Sequence, residues 1–157
     1  MLVYVDTSVF GGAFDVEFSR ASRLFFDRVR EGALEGVVSA LVLDELKGAP
    51  VQVRALFEEL EPFFVRVDTG AAAYDLQEAY LEARVVGRQH ETDALHVATA
   101  TVRGCRAIVS WNFKHIVNFS RIPLYNGVNM ARGFTPIAIH TPEEVIYYDD
   151  REGKEDI

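Results

Sequence analysis

Four side chains that could bind a hard cation stand where apolar segments stop. Asp6 follows Leu2-Val3-Tyr4-Val5 with no spacer, Glu45 comes just after the run Leu41-Val42-Leu43, Asp93 opens an alanine-rich helical pattern, and Asn112 follows Ala107-Ile108-Val109-Ser110-Trp111. Oxygen ligands of this kind suit Mg2+ or Mn2+, which prefer hard donors and, for Mg2+, retain several waters. Each residue also has a plainer role. Asp6-Thr7-Ser8 could be a turn in which side chains bond their own backbone. Asp93 could be a helix-end charge, Glu45 a solvated helix residue with Asp44 equally placed to serve instead, and Asn112 a turn residue. Turn chemistry alone gives no reason for all four to fall on one edge of one sheet.

The elements that must position them alternate between strand and helix signals, which predicts an α/β fold with a mostly parallel sheet covered on both faces. Strands are expected at Leu2 to Val5, Gly36 to Val38, Phe63 to Val67, 107 to 111 and Pro136 to Ile139. Helices are expected from Ser19 to about Glu31, from an N-cap at Ser39 to Lys47, from Pro50 to about Leu60, from Thr69 to near Gly87, and from a Thr92 cap to Gly104, with a short start at Thr141-Pro142. Gly11-Gly12 reads as a loop, and so does the polar, glycine-containing stretch after Trp111. In such a sheet ligands bind beyond the carboxyl ends of the strands, where strand order reverses. Asp6 and Asn112 would meet there if their strands are neighbours.

The bulk properties narrow the setting. A chain of 157 residues, 49% hydrophobic and 25% charged, fits one folded domain, expected over 1–147, followed by an acidic, frayed tail over 148–157. No apolar stretch approaches the roughly 20 residues of a membrane span. The first strand begins without a basic flank or cleavage site, so a cytoplasmic protein is expected. Cys105 is the single cysteine; it allows no intrachain disulfide or multi-cysteine zinc cluster and reads as core filler. The net charge of −8 argues against a broad phosphate-binding surface. Cations in an acidic site would reverse that sign locally.

Four segments in order then carry a resemblance: Val3-Tyr4-Val5-Asp6-Thr7-Ser8, Leu41-Val42-Leu43-Asp44-Glu45-Leu46, Thr92-Asp93-Ala94-Leu95-His96-Val97-Ala98-Thr99-Ala100 and Val109-Ser110-Trp111-Asn112-Phe113. The sequence resembles the PIN domain nucleases, and within them the VapC-like toxins of toxin-antitoxin pairs. The resemblance covers nearly the whole domain. It implies a three-layer α/β/α sandwich with a sheet of about five strands, and hydrolysis of RNA phosphodiester bonds with Mg2+ or Mn2+. Asp6, Glu45, Asp93 and Asn112 would be the catalytic set, with Asp6, Glu45 and Asp93 as metal ligands and Ser8 orienting Asp6. Asn112 stands where the family usually has Asp, and an amide brings no charge to hold a second ion. The resemblance also implies a homodimer and an antitoxin encoded elsewhere that inserts an Arg or Lys into the acidic pocket.

Lys114, His115 and Arg88 are candidates for phosphate contacts beside Asp93 and Asn112. The four histidines show no ligand spacing, since His90 and His96 straddle a predicted helix start, so zinc is not expected; His96 reads as a core-edge residue satisfied by hydrogen bonds. Trp111 and the phenylalanines read as core. Tyr74, Leu76, Tyr80 and Leu81 could leave an apolar strip for a dimer partner. Two other functions remain in view. A PIN fold with weakened turnover could bind nucleic acid or protein, as Asn112 and the acidic charge suggest. Aspartyl-phosphate chemistry is set aside, because Ser8 occupies the place of the second Asp it would need.

Overall fold

The computed structural model describes residues 1–147; the proposed tail at 148–157 lies outside them. Strand β1 (Leu2–Val5) leads into α1 (Thr7–Gly12) and α2 (Ser19–Arg30), then β2 (Glu35–Ser39), α3 (Ala40–Lys47), α4 (Val51–Leu60) and β3 (Phe64–Val67). The second half runs α5 (Ala71–Glu82), α6 (Glu91–Val102), β4 (Ala107–Val109), α7 (Ile122–Ala131) and β5 (Ala138–His140). Residues 142–147 are again helical. No helix among the described residues is long and apolar enough to cross a membrane.

The five strands form one sheet in the order β3-β2-β1-β4-β5, with every neighbouring pair parallel. The expected α/β sandwich is therefore present. Parallel neighbours require crossovers, and the helices pack in two groups, α1 to α4 and α5 to α7, that cover the two faces. Strand order reverses between β1 and β4, whose register pairs Val5 with Val109. Asp6 and Ser110 consequently leave the sheet side by side. The central strands are apolar throughout because both faces are covered, and Val3, Tyr4, Val5, Ile108 and Val109 are fully buried.

On one face Phe10 stacks on Phe26 at 5.0 Å and meets Phe57 edge-on at 5.4 Å. Such rings bury the largest apolar areas available to a core, so truncating Phe10 to Ala should cost roughly 3–5 kcal/mol. Gly36 admits this packing, since a Cβ there would lie 2.5 Å from the Phe64 ring. On the other face Tyr80 and Tyr125 cross at 89° and 4.9 Å.

Two helices contradict the predicted loops. Helix α1 carries Gly11 and Gly12 inside it, a composition that disfavours helix by about 1 kcal/mol per glycine. Gly12 is required by packing: a Cβ would fall 2.6 Å from Trp111 Nε1, which donates to Ser22 Oγ at 2.9 Å. Helix α7 has Pro123 in its first turn, where proline is tolerated, but also Asn126, Gly127 and Asn129, again poor formers; its buried Tyr125 and Asn129 lock it to α5 and α6 through Tyr80 and Thr101. Asn126 also bonds both backbone groups of Ile137, at 2.8 and 2.9 Å, and so aligns the chain entering β5.

Some boundaries and surfaces differ as well. Ser39 caps α3 as expected, accepting from Val42 N at 3.3 Å. The cap of α6 is His90 and not Thr92, because a short 3-10 turn over Arg88–His90 starts the helix early. Helix α2 starts at Ser19 with Phe18 in the cap position, and α5 is entered from Gly70 at φ 78°. The apolar strip on α5 is not exposed: Leu76, Tyr80 and Leu81 are core, and of the four residues Tyr74 alone faces solvent.

Candidate active site at the carboxyl end of the central strands

Asp6 holds the N-cap position of α1 but makes no capping bond. Its Oδ2 instead accepts from Ser8 Oγ and Ser110 Oγ, both at 2.7 Å, while only 6% of the residue is exposed. Each hydroxyl is fixed in turn. Ser8 Oγ accepts from Trp111 N at 2.9 Å and Ser110 Oγ from Asn112 N at 2.9 Å, so the segment after β4 is stitched to the one after β1. Oδ2 is thus committed to positioning, and Oδ1 lies toward the pocket, 3.5 Å from His96 Nε2.

His96 is fully buried and ties three elements together. Its Nε2 hydrogen-bonds Glu45 Oε1, and its Nδ1 lies 2.8 Å from Tyr4 Oη, which is 2.7 Å from Ser39 Oγ. Burial acts against a charged ring, but the Asp6 carboxylate, the Glu45 hydrogen bond and charge, and the Asp93 charge outweigh it and raise the His96 pKa. With a proton on Nε2 the ring donates to Glu45, and its Nδ1 is satisfied by the Tyr4 hydroxyl. Tyr4 stays a neutral phenol because burial pushes its pKa far up. Glu45 is steered by Thr7 Oγ1, which donates to Oε1 at 3.1 Å, whereas Asp44 points to solvent and pairs with Lys47. Between the two adjacent acids, Glu45 faces the pocket.

Asp93 is one helical turn before His96, close enough to add to the field on that ring. Its Oδ2, however, is 3.1 Å from His115 Nδ1. The His115 ring stacks on His90 with centroids 3.6 Å apart. Among the described residues, the one group of three metal-binding side chains with ligand atoms all within 4.8 Å is His90, Asp93 and His115. The histidines do therefore contribute to a ligand cluster, contrary to the spacing argument, because the fold joins residues far apart on the chain. Burial and the neighbouring His90 lower the His115 pKa, outweighing the pull of Asp93.

Asn112 is spent on a turn. Its Oδ1 accepts from Lys114 N at 3.2 Å and His115 N at 3.0 Å, which leaves the Lys114 side chain exposed and His115 aimed at Asp93. Arg88 lies against Glu78 in a two-pronged pair at 2.7 and 3.2 Å. Trp111 is only partly buried and stacks on Phe18 at 4.2 Å. Sequence reasoning missed Tyr4, Thr7, Ser110 and His90. Tyr4 was accessible to it, since it shares the Asp6 face of β1 by strand alternation, as His96 shares the Asp93 face of α6 by helical spacing.

No protein-family model matches the chain, and no curated protein matches it. Solved structures do match by fold. A chain of VapBC2 from Rickettsia felis, a complex solved bound to a DNA fragment from its promoter, aligns with a TM-score of 0.54 at 14% identity, over 90% of this chain and 98% of that one. A chain of FitAcB from Neisseria gonorrhoeae gives 0.54 at 14%, over 89% and 97%, and one of FitAB bound to an IR36 DNA fragment gives 0.53 at 13%, over 90% and 95%. The fold is PIN-like. At such identities the shared property is the architecture.

Proposed function

We propose that the chain is a Mg2+ or Mn2+-dependent ribonuclease, the toxin of a toxin-antitoxin pair. The observation that carries this reading is the meeting of two acids from separate elements, Asp6 and Glu45, on one buried atom, His96 Nε2, at the switch point of the sheet. Asp6 and Glu45 offer hard oxygens suited to such an ion, and Asp93 adds negative potential from the first turn of α6. Asp93, the third acid expected with them, has its Oδ2 engaged by His115 and does not join their ligand set, so Asp6 and Glu45 would hold the cation. When bound, it would supply Lewis acidity and offset the charge of the scissile phosphate.

The chain's own groups do the rest. Ser8 and Ser110 fix Asp6 so that Oδ1 faces the pocket, and Thr7 does the same for Glu45. His96 holds a proton at Nε2 between the two carboxylates, relieving their mutual repulsion. Lys114 is placed to meet a backbone phosphate beside Asn112, while the turn at Asn112 sets the direction of the following loop. The Glu78 partner of Arg88 reduces what that residue can give to RNA. A cognate antitoxin would approach the same acidic pocket with a cationic side chain, and a second copy of the chain would form the homodimer.

The test is cleavage of a fluorogenic generic RNA by metal-stripped protein with Mg2+ or Mn2+ restored. Activity that EDTA removes and Asp6→Asn abolishes is the expected result. The second reading, a PIN fold that binds without cutting, is favoured by the commitment of the Asn112 oxygen to backbone N–H groups. Binding of RNA with no metal-dependent cleavage would select it.

A further inference from the structure

We propose that His90, Asp93 and His115 form a second cation site, distinct in chemistry from the oxygen-rich pocket at Asp6, that takes a Zn2+-class transition-metal ion. One ligand atom from each residue lies within 4.8 Å of the other two, and all three side chains are half-buried, open to an ion from solvent. The pieces are held by different anchors. Asp93 belongs to the first turn of α6, and His90 N is bonded to Gly87 O at 2.9 Å. His115 is pinned on both sides of its backbone, by Asn112 Oδ1 on its N–H and by Tyr125 Oη on its carbonyl at 2.8 Å.

Two imidazoles and one carboxylate, with a fourth position left to water, are a ligand set used for zinc when one coordination place stays open. Ligands around a tetrahedral ion at about 2.1 Å stand about 3.4 Å apart, so the ligand atoms, now within 4.8 Å of one another, must close in and the stacked rings must turn as the ion enters. Imidazole nitrogens favour Zn2+, Co2+ or Ni2+ over Mg2+ and Ca2+. The amide at Asn112 gives the arrangement a logic. It brings no charge, but its turn holds the His115 backbone so that the ring meets Asp93.

The inference goes beyond the nuclease reading and is tested apart from it. Metal-stripped protein is titrated with Zn2+ alone by calorimetry, and crystals soaked in Zn2+ are measured at the zinc absorption edge. An anomalous peak among the three side chains, whether or not a second ion enters the Asp6 pocket, and at least tenfold weaker binding of that ion in His90→Ala and in His115→Gln are expected. Asp6→Asn should leave the peak among His90, Asp93 and His115 in place, while RNA cleavage by the same variant reports separately on the nuclease. Folding of each variant is checked by circular dichroism, and His115→Gln keeps a polar partner for Asp93. Uptake insensitive to the His90→Ala/His115→Gln double variant, a peak confined to Asp6 and Glu45, or no saturable uptake would overturn the proposal.

Discussion

The pocket at Asp6 and the cluster at His115 meet α6 through residues one turn apart, His96 and Asp93, yet they are built in opposite ways. Asp6 leaves a central strand, is almost wholly buried, and has one oxygen fixed by two hydroxyls that are themselves fixed by backbone N–H groups. His115 sits in a loop, is half-buried, and owes its direction to a single amide turn and one tyrosine. Sheet register sets the first and local turn chemistry the second. The difference teaches that fixed placement of a side chain comes from the parallel ladder, and looser placement from the loop that follows it.

Breaking the rigid side should have the largest effect. Asp6→Asn is expected to reduce metal-dependent RNA cleavage by more than about 100-fold with the circular dichroism spectrum unchanged, a loss larger than that usual for residues that only orient a ligand. Ser110→Ala removes a hydroxyl bonded to both Asp6 and Asn112, and a 10- to 100-fold loss of the same activity is expected. Tyr4→Phe leaves the buried His96 Nδ1 without a partner and Ser39 Oγ with Val42 N alone. Urea denaturation should then show a loss of about 1–3 kcal/mol. On the loop side, Asn112→Asp keeps an acceptor for the Lys114 and His115 amides while adding a charge; a several-fold gain in Mn2+-supported cleavage would mean that charge, not geometry, limits this position. Asn112→Ala should cost only about 1 kcal/mol in the same urea experiment, and it should weaken Zn2+ uptake more than it weakens folding.

Much of this was legible in the residues. The apolar runs Leu2-Val3-Tyr4-Val5 and Ala107-Ile108-Val109 declared buried parallel strands, and the carboxylate right after the first marked the crevice. Ser39 and Gly104 punctuated their helices as read. Helices α1 and α7 were not legible, because Gly12, Gly127 and the asparagines violate local propensity and are held by Trp111, Tyr80, Thr101 and Ile137, partners that exist only after folding. For the same reason the residues gave no sign of His90 and His115 as metal ligands, and His115 read only as a phosphate contact. Their spacing on the chain carried no sign that their rings would stack.

The sequence by itself determined which segments are strands of the sheet core and which acids could serve a cation, since burial periodicity and side-chain chemistry are local properties. Tertiary structure alone decided that β1 and β4 are neighbours, that Glu45 and not Asp44 turns inward, and that His96 bridges the acids while Asn112 serves a turn. Those outcomes depend on strand register and on contacts between residues tens of positions apart, and such contacts are fixed only when the whole core closes.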